Sequence, residues 1–208
     1  MLSANEIAAL HDTMTQEWHL RPPQPASQPA PADPLPDAAA WSEAVIRQHL
    51  ANFELWHIED EARRPDATDA EMAAVKRRID PTNQRRNDLA EKLDLALLAF
   101  LEPRHLPNPQ AELHSESPGL IIDRLSILAL KIYHTREEAQ RSDVSEEHRQ
   151  RNHQRLKILL EQRADLAGCL DQLWRQTLAG SRRFKLYRQL KMYNDPTLNP
   201  AIYRQAKN

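Results

Sequence analysis

Leu55-Trp56-His57-Ile58-Glu59-Asp60-Glu61-Ala62-Arg63-Arg64-Pro65-Asp66 returns 77 residues later as Ile132-Tyr133-His134-Thr135-Arg136-Glu137-Glu138-Ala139-Gln140-Arg141-Ser142-Asp143. The histidines coincide, as do Glu61-Ala62 with Glu138-Ala139, Arg64 with Arg141, and Asp66 with Asp143. At the same offset Arg86-x-Asp88-Leu89-Ala90 falls on Arg163-x-Asp165-Leu166-Ala167, and Leu93-Asp94 on Leu170-Asp171. Agreement through helix, turn and helix at one spacing points to a duplicated helical hairpin. The expected fold is all-α: an antiparallel helical bundle of two duplicated hairpins, plus an N-terminal helix and a C-terminal basic helix.

Outward from the repeat, Thr68 and Glu71 form a capping box for a second helix running to about Leu101. Ser145 with His148 caps a fourth helix that ends near Gly180. Asp37 caps the first, and Ser117-Pro118 supplies a cap and a helix-opening proline for the third. Repeat 1 thus covers about 38–101 and repeat 2 about 117–180. Pro81 either kinks or splits the second helix. Residues 1–20 read as an amphipathic helix with Leu2, Ile7, Leu10, Met14 and Trp18 near helical spacing. Residues 21–37 read as a linker, because seven of the 15 prolines lie between Arg21 and Pro36 and predict an extended tether. The bundle domain occupies 38–208, of which 181–208 holds a basic helix, Ser181 to Tyr193, and a tail broken by prolines.

Composition agrees with this reading. Only three Gly and three Val are present, while the helix formers Ala, Leu, Glu, Arg and Gln dominate. With 28 basic and 30 acidic residues, net charge is −2, so no global field recruits nucleic acid or a membrane surface. The single Cys169 has no disulfide or metal-ligating cysteine partner. The most apolar stretch, Leu120 to Tyr133, carries Asp123, Arg124 and Lys131 and does not suit a membrane span. No signal-peptide pattern opens the chain, and a cytoplasmic location is expected.

Helical spacing puts polar groups on the core stripes. His57 follows Phe53 on the first helix, Arg86 precedes Ala90 on the second, Asp123 and His134 flank Leu130 on the third, and Arg163 precedes Ala167 on the fourth. Antiparallel pairing is expected to bring Arg86, Asp123 and Arg163 into one layer, either as a closed salt-bridge network or as an anion site with a surplus positive charge. Arg124 and Lys131, with Lys185 and Arg188 from the basic C-terminal segment, are further anion-binding candidates. His57, Asp123 and His134 are the candidates for proton transfer. Glu54-x-x-His57, Glu91 and Asp94 carry metal-ligating groups, but the duplicate of Glu54 is Lys131 and that of Glu91 is Gly168, so no metal is expected. No cofactor is implied, for neither a nucleophile motif nor a Gly-rich phosphate loop is present.

Four stretches resemble an uncharacterised bacterial family, domain of unknown function 4254. They are Asn52-Phe-Glu-Leu-Trp-His-Ile-Glu-Asp-Glu-Ala-Arg63, Ile79 to Asp88, Ser117-Pro-Gly-Leu-Ile-Ile-Asp-Arg-Leu-Ser-Ile-Leu-Ala-Leu-Lys-Ile-Tyr-His134, and Phe184 to Pro200. The resemblance covers about Val45 to Tyr203. The third stretch is also similar to a Pro-Gly-x-x-x-Asp segment of proteins linked with glycosyltransferases of surface polysaccharide synthesis. The resemblance implies a bacterial source and that pathway, but no activity. Two functions follow as expectations: a non-catalytic helical accessory or interaction protein, with a glycosyltransferase or other protein as partner, or a small enzyme acting on a phosphorylated or nucleotide-sugar substrate.

Overall fold

Each α-helix of the protein begins at a side chain that accepts a hydrogen bond from the first turn. In the computed structural model, which describes residues 2–23 and 37–188, Ser3 opens α1 (Ala4–Leu20), Asp37 opens α2 (Ala38–Glu61) and Thr68 opens α3 (Asp69–Leu101). Ser117 opens α4 (Pro118–Gln140) and Ser145 opens α5 (Glu146–Leu178). Ser3 with Glu6, and Thr68 with Glu71, form complete capping boxes. α3 runs through Pro81 without a break; its ring lies on the exposed face, where the lost backbone donor does the least harm.

α3 and α5 each contain 33 residues, and their N-caps Thr68 and Ser145 lie 77 positions apart. In the turn before each, an arginine grips an aspartate in the same two-pronged way: Arg64 to Asp66 at 3.2 and 2.8 Å, Arg141 to Asp143 at 3.0 and 2.8 Å. α2 and α3 are antiparallel, since Arg78 pairs with Glu61 and Arg85 with Glu54, the partners receding along one helix as they advance along the other. α4 packs extensively on α5.

Two helical hairpins do not complete the bundle. α3 packs on α4, but α1 lies against α2, α4 and α5 and occupies the place where α2 would meet α5. Its N-terminal amide donates to Asp171 (Ala4 N to Oδ1, 2.9 Å), which sets a carboxylate at the positive end of the helix dipole. Ala4 and Ile7 join Val45, Leu93, Leu97, Ile121, Ile122, Leu125, Leu170 and Leu173 in the core. The α1 helix bears on which residues of α2 are buried. Ile46 and Leu50 are only half-buried on α2, while Val45, Gln48, His49 and Asn52 face inward.

The expected basic helix from Ser181 is not formed over its described part. Gly180, with φ of +71°, ends α5, and Arg182–Arg183 (β2) then pairs in parallel with Glu112–Leu113 (β1) of the α3–α4 connection. Asn108 donates to the Gly180 carbonyl at 3.0 Å and Arg183 to that of Ala111 at 2.8 Å, so the loop holds this segment extended and draws Phe184 into the core. Residues 189–193 and the proline tether 24–36 lie outside the described residues.

Gly119 marks a close approach of α4 to α3. A Cβ there would stand 2.3 Å from the Ala90 carbonyl oxygen of α3 and 2.9 Å from the Asp94 carboxyl. Gly119→Ala is therefore expected to destabilise the fold by about 2–3 kcal/mol through overpacking, read as a lowered urea midpoint, whereas Gly168→Ala, which meets nothing within 4 Å, is expected to be neutral or stabilising.

Candidate functional site

The second turn of α4 turns Asp123 inward, where it is almost wholly buried. Arg86 of α3 grips it with both prongs, Nε to Oδ1 at 2.8 Å and Nη2 to Oδ2 at 2.6 Å. From α2, Gln48 donates to Oδ1 at 2.6 Å and Asn52 at 2.9 Å. The carboxylate is fully paired and strongly hydrogen-bonded, which offsets its desolvation. Asn52 also donates to Ser126 Oγ, which shares a hydrogen bond with His49 Nδ1 (2.7 Å), and His49 Nε2 shares another with Thr15 Oγ1 of α1 at 2.8 Å. Burial pushes His49 down to about 3 and His11, stacked on it at 4.5 Å, well below the ordinary histidine range. Both are neutral.

Arg163 does not enter this layer, contrary to expectation. It turns to α1 and binds both oxygens of Asp12 at 2.8 and 2.7 Å. The physical reason lies in the sequence: the residue 77 positions before Asp123 is Ile46, so α2 offers Arg163 no carboxylate there and α1 supplies one. The interior carries no surplus cation to hold an anion at Arg86 and Arg163. The other anion-binding candidates are scattered. Arg124 pairs with Glu116 at 2.7 Å beside a cavity of about 670 Å³, Lys131 lies exposed on the same wall, and Lys185 and Arg188 are exposed beyond β2.

The expected metal-ligating groups also part company. Glu54 is taken by Arg85. Asp94 is buried at the start of α4, where it accepts hydrogen bonds from Ser117 Oγ and from Gly119 N at 2.7 Å, and Glu91 stands near it. Burial raises the Asp94 carboxyl to about 6 despite these two donors.

His57 and His134 do come together, at the far end of α2 and α4 from Asp123's partner Arg86, with ring centroids 6.1 Å apart. A third imidazole, His19 from the last turn of α1, joins them at 5.2 and 5.0 Å. Each of the three offers a ring nitrogen, and these lie within 4.8 Å of one another. His19 was not anticipated, although the sequence holds a signal for it. His11 and His19 are eight residues apart, as are His49 and His57. α1 runs alongside α2 in the same direction, so His11 meets His49 and His19 meets His57. Phe53, Trp56 and Tyr133 wall the cluster: Tyr133 stacks on His19 at 4.2 Å, and Trp56 on His134 at 5.1 Å. Beside His134 opens a cavity of about 450 Å³ that Trp56, Lys131 and Arg155 also line.

Two measurements test these assignments. Asp123→Ala, which strips the half-buried Arg86 and the buried Gln48 and Asn52 of their common acceptor, is expected to cost about 3–5 kcal/mol of unfolding free energy in urea. For Asp94 the folded carboxyl titrates above the unfolded one, so its neutral form stabilises the fold below about pH 4 and that contribution is lost as pH rises through 6. Asp94→Asn is thus expected to gain about 2–3 kcal/mol on the parent between pH 4 and pH 7, measured by denaturant unfolding at each pH.

No curated protein and no solved structure matches this chain. Residues 42–186 match the model of the family described as Protein of unknown function (DUF4254), which leaves α1 outside the match, and the chain belongs to that family.

Proposed function

We propose that the protein is a non-catalytic helical accessory protein, and that its setting is envelope polysaccharide synthesis in a bacterium. One observation carries the first part: the groups suited to proton transfer do not share a site. Asp123 is consumed by Arg86, Gln48 and Asn52, whereas His57 and His134 belong to a separate aromatic-walled cluster. The setting rests on the similarity of Ser117 to His134 to proteins associated with surface-polysaccharide glycosyltransferases, and such an enzyme is the partner this reading names. We further infer that the two hairpins arose by duplication. The equal lengths of α3 and α5, the matching Arg–Asp turns and the 77-residue spacing of the touching pairs His49–Ser126 and His57–His134 support it.

One observation favours the enzyme reading. The cavity beside His134 combines Lys131 and Arg155 with the face of Trp56, a set suited to a phosphorylated, ring-bearing ligand. A thermal-shift and turnover panel of nucleotides, nucleotide sugars and sugar phosphates separates the two readings, because a ligand of the native state raises its stability. The accessory reading expects no release of nucleotide or phosphate from any of them. Release that is lost in His134→Ala and in Lys131→Ala would establish the enzyme instead.

A further inference from the structure

We propose that His19, His57 and His134 bind one divalent transition-metal ion, with Zn²⁺ as the natural occupant, and that the ion pins α1 to the bundle. The proposal is independent of the accessory reading above.

The orientation of the three rings carries the argument. His19 Nδ1 is 2.7 Å from the Thr15 carbonyl oxygen, and His57 Nδ1 is 2.8 Å from that of Phe53. A carbonyl can only accept, so both Nδ1 atoms bear the proton and both Nε2 atoms are left with a lone pair. His134 Nδ1 is 3.0 Å from the Glu137 carboxylate, which fixes the same tautomer. Nε2 of His19 and of His134 are buried without a hydrogen-bond partner. One ring nitrogen of each histidine thus lies within 4.8 Å of the others, and two Nε2 lone pairs are buried with no donor to meet them, an arrangement that a Lewis acid at the centre would satisfy.

Each feature is what a metal needs. An imidazole ligand is held by a hydrogen bond from its other nitrogen to a carbonyl or carboxylate, and all three rings have one. Three neutral nitrogens suit Zn²⁺ and its first-row neighbours rather than Mg²⁺ or Ca²⁺. Zn–N bonds of about 2.0–2.1 Å set nitrogens about 3.3 Å apart in a tetrahedron, a spacing that small ring rotations reach from nitrogens already within 4.8 Å of one another. Three protein ligands leave the fourth corner to water or an anion. The ligands come from α1, α2 and α4, so the ion ties α1, the helix outside the family match, to two helices within or across that match.

The test uses the full chain, stripped of metal and titrated with Zn²⁺. Calorimetry is expected to find one saturable site per chain and Tm to rise, and Co²⁺ is expected to give the intense visible absorption of a four-coordinate nitrogen site. His19→Ala, His57→Ala and His134→Ala should each abolish all three signals. Glu137→Gln guards against misfolding of those variants, because the Glu137 side chain is half exposed. It is expected to weaken Zn²⁺ binding about 10–100-fold while leaving circular dichroism and the metal-free Tm unmoved. Absence of a saturable site in the parent, parent-like binding in a folded histidine variant, or unchanged Zn²⁺ affinity in Glu137→Gln would each overturn the proposal.

Discussion

A carboxylate inside a helical bundle must be paired or surrender its charge, and Asp123 imposes that demand on three helices at once. Arg86 answers from α3, while Gln48 and Asn52 answer from α2. Because Asn52 also binds Ser126, and Ser126 binds His49, the requirement passes outward until it reaches Thr15 on α1. The register of α2 against α4 is thus set by polar geometry, which tolerates sliding far less than apolar packing does. The apolar core then fills in around fixed points.

The same logic explains why α1 docks. Arg163 stands where a second carboxylate would be needed and α2 presents Ile46, so a half-buried guanidinium would go unpaired without help. Asp12 provides that help, and Asp171 in turn satisfies the first amide of α1. Asymmetry between two similar hairpins thereby creates the berth for a fifth helix, and the berth decides what α1 brings: Thr15 to the inner network and His19 to the histidine cluster.

Local signals in the chain were legible, and contacts at a distance were not. Ser3, Asp37, Thr68, Ser117 and Ser145 open helices where their side chains said they would, because capping needs only residues three apart. The Arg86–Asp123 pair could be read because helical spacing and antiparallel pairing put both residues in one layer. The place of α1 could not be read from its apolar residues, since its buried side is Ala4, Ile7, His11 and Thr15, half of it polar. Amphipathic reasoning chose Leu2, Ile7, Leu10, Met14 and Trp18, of which Ile7 enters the core and Leu2 and Leu10 pack against it, but it gave no sign of the buried His11 and Thr15. Arg182–Arg183 misled for a different reason: a basic, aromatic stretch has helical character in isolation, but two residues of strand pairing and the Asn108 and Arg183 side chains hold it extended. Such tertiary bonds leave no periodic trace.

The boundary of the family match, at residue 42, cuts between α1 and the helices that depend on it. An alignment-defined domain is ordinarily treated as a unit that can be cloned, transplanted or compared on its own. Here that unit leaves out a packed helix, because a chain trimmed to 42–186 would lack the α1 partners of Arg163, His49 and Asp171. The matched segment and the packed bundle differ in this protein by one helix.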